Sequence, residues 1–215
     1  MHKYEGIGCI YWHQVTKLVL AVQAAFFAAH RAGDAAAGAL AERYHLLQRG
    51  LGAHKAPEVF GAFPTDPYSH SPLHLGAQQP GMTGQVKEGV LCRLGELGVQ
   101  VRDGKLGFVP ALLRRSDFLA ESTVWRIVGQ NGVSTGHTLP VGGLGFTVCG
   151  VPVLYKLGGA ELQSTLTLSD GHEELMTGAT LSREQSAEVF ARKLGGTQRV
   201  VAIRIDVPEA ALIRP

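Results

Sequence analysis

The stretch of residues 54–88 holds the densest set of side chains in the chain that could do chemistry. It contains three histidines, one aspartate and five prolines, and it runs into an expected helix start at Thr83. Loops of this length are uncommon inside a compact domain, and those that occur are usually functional. The alternative is an ordered surface loop without chemistry.

Aromatic rings and polar groups alternate within this loop, a mixture that is typical of carbohydrate sites. Planar rings cover the apolar faces of a sugar, and paired polar groups bind its hydroxyls. Asp66-Pro67 and Ser71-Pro72 stiffen the backbone, which favours a preorganised site. Each side chain could equally be structural. The candidate substrate-binding residues are Asp66, Tyr68, His70, His74, Gln78 and Gln79.

The sequence predicts no metal site. His70 and His74 have the spacing of zinc ligands on a helix, but Pro72 between them excludes an ordinary helix.

The end of the loop is a candidate anion site. Thr83 as N-cap leaves the amides of Gly84 and the next residue unpaired, and the positive end of the helix dipole lies there. His13 and Lys17 are four residues apart on one face of the first expected helix, away from its apolar stripe. They could complete such a site or form a polar edge between helices, and Thr83 could be an ordinary cap.

Carboxylates that could act as acid or base are few. Glu88 lies one turn into the helix that follows Thr83, where a glutamate often only complements the helix N-terminus. Asp66 is a weak candidate too, and Glu5 a weaker one. The catalytic group therefore stays unknown at this point.

Composition excludes several classes of protein. A formal charge of +2 on 215 residues is too small to indicate nucleic acid or a membrane surface as partner. Cys9, Cys92 and Cys149 are far apart and odd in number, which predicts free thiols in a reducing, cytoplasmic compartment. The N-terminus lacks the pattern of a signal peptide, and no apolar run has membrane-spanning length.

Residues 1–98 read as a helical segment with a long site loop at 50–82. Apolar residues recur at steps of three and four from Ile10 to about Arg31, Gly33 ends this helix, and Asp34 caps the next one, to Gly50 or Gly52. After the loop, a third helix runs from Thr83 to Gly98. Its expected buried stripe is Val86, Val90, Leu91, Leu94 and Leu97.

Residues 99–215 read as a β-rich domain with one short helix. Asp103-Gly104 and Asp170-Gly171 are turn signals between strands, and Ser182 with Gln185 forms a capping box. The stretch 129–143 is expected to be a mobile loop. The fold class predicted is α+β, with a β-sandwich-like C-terminal module. Expected strands are Val124–Val128, Gly145–Cys149, Val151–Lys156, Leu162–Leu168 and Val200–Val207.

The order of short motifs resembles the C-terminal third of the cellobiose and chitobiose phosphorylases, inverting enzymes of the (α/α)6-toroid type. The motifs are Glu5-Gly6-Ile7-Gly8 with Tyr11-Trp12-His13, then Thr83-Gly84 with Glu88, Leu94-Gly95, and Leu106 to Pro110. The resemblance implies that residues 1–98 are the last toroid helices. It also implies that His13, Thr83 and Gly84 hold inorganic phosphate, a co-substrate, with no further cofactor.

The same resemblance leaves the reaction open. It implies that the general acid belongs to an earlier helical hairpin, before Met1, so that this chain would lack it. The family usually carries aromatic residues before the Thr-Gly pair, whereas this chain has Gln79-Pro80-Gly81-Met82. The expected function is phosphorolysis of a β-linked di- or oligosaccharide. The alternatives are a toroid glycoside hydrolase and a non-catalytic carbohydrate-binding or structural module left by truncation. The expected partners are a small carbohydrate and either the missing N-terminal part of the enzyme or a second copy.

Overall fold

The computed structural model describes residues 9–51, 68–72, 79–80, 84–129, 132–192 and 199–213. Side chains are described in these ranges except at 9–13, 51, 68–72, 79–80 and 84–86. The chain combines α-helices with several β-sheets, so the predicted α+β class is confirmed. It divides into two compact units at the Gly95–Glu96 peptide bond. Within the described ranges, no helix is both long and apolar enough to span a membrane.

Among its described residues, the first unit contains three helices whose ends follow the predicted signals. Gly33 ends the first helix with φ +65°, and the Asp34 carboxylate accepts a hydrogen bond of 2.8 Å from the Ala36 amide to start the second. Gly98, at φ +75°, follows the third helix. The helices are α1 (Trp12–Ala32), α2 (Ala36–Leu51) and α3 (Gly84–Glu96).

The prediction of the buried face of α3 was wrong in part. Val90 and Leu91 are 55% and 51% exposed, whereas Glu88 and Cys92 are buried. Together with Gly95, the buried residues repeat at steps of four and three, so they form one face of α3. The residues of this face are small or polar because the buried Gln23 side chain of α1 fills the space beside Gly95.

Three short strands in the first unit were not anticipated. β1 (Cys9–Tyr11) pairs antiparallel with β2 (Tyr68–Pro72), which pairs antiparallel with β3 (Gln79–Pro80). Their sequences lack the alternation of apolar and polar residues that identifies a strand. β1 leads without a break into α1, and β3 ends four positions before α3 begins.

The second unit contains a five-stranded sheet of order β11-β10-β12-β9-β8, in which β12 runs parallel to β9 and the other neighbours are antiparallel. Two separate hairpins are formed by β4 with β5 and by β6 with β7. Helix α4 (Arg183–Ala191) starts at the predicted Ser182–Gln185 capping box. The strands are β4 (Val99–Arg102), β5 (Lys105–Phe108), β6 (Thr123–Val128), β7 (Ser134–Leu139), β8 (Gly143–Val148), β9 (Val151–Leu157), β10 (Gln163–Leu168), β11 (Glu173–Thr177) and β12 (Val200–Val207).

The stretch 129–143, expected to be a mobile loop, contains β7 instead. Strand β7 is built of Ser, Thr, Gly and His with one Leu, so it carries no apolar alternation. Its pairing with β6 supplies the stability that its own composition lacks. The hairpin lies on the sheet where the Trp125 ring packs over Gly145, whose missing side chain leaves room for it.

The hydrophobic core of the second unit lies on one face of the sheet. Phe108, Tyr155, Leu166 and Ile203 are at most 1% exposed, and Val189 of α4 belongs to the same cluster. The Tyr155 hydroxyl donates a hydrogen bond of 2.6 Å to the Leu97 carbonyl. Burial raises the pKa of this hydroxyl well above its usual range, because the ionised form would lose its hydration.

Replacing Tyr155 with Phe is expected to lower the free energy of unfolding by about 1–2 kcal/mol at neutral pH, because the buried Leu97 carbonyl loses its donor. The loss should shrink at alkaline pH. An unfolded tyrosine ionises near pH 10, whereas the folded protein keeps this proton, so the wild type loses about 1.4 kcal/mol per pH unit above that value. Urea unfolding of both proteins between pH 8 and 11 measures this difference, and a gap that stays constant would contradict it.

Candidate functional site

Helices α1 and α3 contact each other at two points that fix their relative direction. The Lys17 ammonium lies 3.5 Å from Oε1 of Glu88, and the Gln23 amide donates a hydrogen bond of 2.7 Å to the Cys92 carbonyl. The contacts advance in the same direction along both helices. α1 and α3 therefore point in the same general direction, and both begin toward the same end of the helical unit.

A buried polar network fixes this arrangement. The Gln23 amide also lies 3.1 Å from the Tyr44 hydroxyl of α2, which accepts a hydrogen bond of 2.9 Å from Gln48. The Tyr44 hydroxyl lies 3.4 Å from the Cys92 carbonyl. Gly95 permits the contact, since a Cβ there would lie 2.1 Å from the Gln23 side-chain oxygen. One side chain thus connects all three helices.

Glu88 is buried and takes part in an ion pair. It is 6% exposed, whereas the Lys17 side chain is 61% exposed. A carboxylate removed from water needs a charged or hydrogen-bonding partner, and Lys17 supplies one at Oε1. The geometry makes Glu88 an anchor for the Lys17 ammonium, which stays accessible to solvent.

The shared direction of the helices places two of the predicted phosphate-binding positions toward the same end of the unit. Four residues before Lys17 is His13, and four residues before Glu88 is Gly84. Both steps correspond to about one helical turn, or about 6 Å. His13 lies in the first turn of α1, and Gly84 is the first residue of α3. Thr83, the third member of the set, lies outside the described residues.

The three-stranded sheet brings part of the predicted sugar-binding loop to the same end. His70 of β2 pairs with Tyr11 of β1 on one side and with Gln79 of β3 on the other. Tyr68 pairs with Pro80. Because Tyr11 precedes α1 directly, the backbone at Tyr68, His70 and Gln79 lies next to the start of that helix. Asp66, His74 and Gln78 lie outside the described residues.

The physics of helix starts explains why an anion site is predicted at this end of the helical unit. The first amides of a helix have no partner within it, and its dipole favours negative charge. Here two helices begin toward one end, and the Lys17–Glu88 ion pair, which has no net charge, lies about one turn along, so the helix amides are the main attraction for an anion. Among the described residues, no group of His, Cys, Asp and Glu could hold a metal ion.

Sequence reasoning missed Gln23 and Gly95, which hold the helices in register. The signal was present, since Gln23 interrupts the apolar stripe of α1 between Val19 and Phe26. A polar residue at a buried helical position requires hydrogen-bonding partners. Its partners, from α2 and α3, are 21 and 69 residues away along the chain, too far for local patterns to identify. No family model matches this chain, and no curated protein matches it either.

Proposed function

We propose that the helical unit carries one wall of a phosphate and sugar site, and that the protein acts in phosphorolysis of a β-linked di- or oligosaccharide. The observation that carries the proposal is the common origin of α1 and α3. His13 and Gly84 both lie at helix starts toward this end, and the strands that hold Tyr68, His70 and Gln79 adjoin the start of α1. Cys92 and Cys149 form no disulfide, which suits the reducing cytoplasm in which such an enzyme would act.

In this reaction a phosphate oxygen attacks the anomeric carbon while the glycosidic carbon–oxygen bond breaks. The leaving oxygen takes a proton from a general acid, and the products are a sugar phosphate and a shortened sugar. The first amides of α3, Thr83, His13 and Lys17 would orient the phosphate. Glu88 would position Lys17, since its Oε1 is already engaged by that cation. Asp66 stays a weak candidate for a catalytic carboxylate.

Replacing Thr83 with Ala is expected to abolish stabilisation by phosphate. If phosphate binds with a dissociation constant near 1 mM, 10 mM phosphate should add about 1.4 kcal/mol, or about 3–6 °C in melting temperature. The measurement is a thermal melt in phosphate, sulfate and chloride at equal ionic strength. The matched control is Ser182→Ala, which removes the cap of α4 in the other unit and should leave the phosphate effect unchanged. A phosphate effect that survives Thr83→Ala would contradict the site.

Two other functions would use the same site, and an assay of the reaction products distinguishes them from phosphorolysis. A glycoside hydrolase would release reducing sugar without phosphate, whereas a non-catalytic module would bind sugar and release nothing. Incubation with glucose-, N-acetylglucosamine- and mannose-based disaccharides, followed by phosphorus NMR, detects a sugar phosphate only for phosphorolysis, and only if a carboxylate of this chain, Glu88 or Asp66, serves as the general acid. The sugar that adds to the phosphate-dependent stabilisation identifies the substrate class.

A further inference from the structure

A cleft of about 400 Å³ lies in the second unit, between the β6–β7 hairpin and the sheet face opposite the core. The hairpin rests on this face through Trp125 and Gly145, and the cleft opens beside that contact. The volume is in the range of small-molecule sites, about 300–1,000 Å³. The lining includes Ile127, Thr135 and His137 from the hairpin, and Pro152, Thr167 and Ala202 from the sheet.

We infer that this cleft binds a small amphipathic anion, a molecule with an apolar body and one acidic group. The cleft has an apolar surface, formed by Ile127, Pro152 and Ala202. A ligand with an apolar body would remove this surface from water, whereas a sugar or a free ion would not. Arg199, the residue directly before β12, also lines the cleft and supplies a permanent positive charge. The lining residues that the structure describes include no Asp or Glu, so no carboxylate among them opposes an acidic ligand.

Two of the polar residues that line the cleft have contacts within the fold, at the main chain of Arg199 and at the ring of His137. The Arg199 amide donates to the Ser169 hydroxyl at 3.2 Å, and the Arg199 carbonyl accepts from the Ser169 amide at 2.8 Å. The His137 ring nitrogen Nε2 lies 3.3 Å from the Thr135 hydroxyl, and its ring centre lies 6.1 Å from that of Trp125. The main chain from which the Arg199 side chain extends is thus fixed before a ligand binds, which limits the entropy lost on binding.

Octanoate, octanol and octylamine test the inference, because they share one apolar body and differ in charge. Isothermal titration calorimetry of the full chain should show saturable binding of octanoate, with octanol at least tenfold weaker and octylamine weaker still. This site is independent of the proposed phosphate site, so octanoate should bind equally to the Thr83→Ala protein.

Two substitutions locate the octanoate in the cleft. Arg199→Gln should weaken octanoate about tenfold, a loss of about 1.4 kcal/mol, and leave octanol unchanged. Ala202→Phe should fill the cleft and abolish binding of both. Arg126→Gln is the matched control, since Arg126 is exposed on the opposite face of the hairpin. The inference is overturned if the folded wild type binds no octanoate, if the three amphiphiles bind equally, or if Arg199→Gln changes nothing.

Discussion

Replacing Gly98 with Ala is expected to lower the free energy of unfolding by more than about 3 kcal/mol, the largest effect among the substitutions considered. Gly98 has φ +75°, and a Cβ on it would lie 2.3 Å from the carbonyl carbon and oxygen of Val109 and 2.6 Å from the nitrogen of Pro110. Backbone atoms cannot rotate away as a side chain can. The Gly98 carbonyl also accepts a hydrogen bond of 2.8 Å from the Val109 amide, and relief of the clash would break it.

Gly171→Ala is the matched control for this substitution. Gly171 has φ +85°, so alanine there incurs a similar left-handed strain of about 1–2 kcal/mol, but nothing lies within 4 Å of the new Cβ. Urea unfolding of both variants separates the strain of the backbone from the clash. Equal losses for the two variants would show that the approach of Val109 has no energetic consequence.

Helix ends and tight turns could be predicted from the sequence because their causes are local. Asp103 and Gly104 both have positive φ, at 50° and 72°, as an Asp-Gly hairpin turn requires. At α4, the Ser182 hydroxyl accepts from the Gln185 amide at 3.1 Å, and the Gln185 side chain accepts from the Ser182 amide at 2.9 Å. These interactions involve residues no more than three apart, so a short motif contains the whole cause.

Elements whose stability depends on a partner elsewhere in the chain could not be predicted from short motifs. Strand β7 depends on β6, and strand β11 depends on β10, while their own sequences are mostly polar. The same limit explains the error on α3, where Val90 and Leu91 follow an apolar pattern but lie in solvent. Which face of a helix is buried depends on its neighbour, and the neighbour of α3 offers an amide at Gln23.

The candidate site likewise has one part with a local cause and another part that depends on residues distant in the sequence. Local rules place a helix start directly after Thr83, and α3 begins at Gly84. That His13 and Gly84 lie toward the same end depends on the ion pair and hydrogen bond between α1 and α3, which join residues 69 or more positions apart. The polar composition of the loop indicated a ligand but gave no geometry, and the β1–β2–β3 pairing supplies the backbone part of it.

Replacing Gln23 with Ala is expected to destabilise the helical unit by about 2–4 kcal/mol. The substitution removes the hydrogen bonds to the Cys92 carbonyl and the Tyr44 hydroxyl and leaves a cavity beside Gly95, in a position that is 4% exposed. The Tyr44 hydroxyl keeps its partner Gln48, which limits the loss. The matched control is Gln14→Ala, since Gln14 is exposed on the same helix and should change stability by less than about 0.5 kcal/mol.

The same substitution connects the architecture to the proposed function. If phosphate depends on α1 and α3 beginning toward the same end, the loss of the Gln23 contacts should weaken phosphate binding even in the fraction of protein that stays folded. Phosphate titrations monitored by tryptophan fluorescence at low temperature, where Gln23→Ala is folded, measure this directly. Reduced stability with unchanged phosphate affinity would mean that α3 alone holds the anion and that the register with α1 serves only stability. A parallel loss of both would make Gln23 a positioning residue for the site.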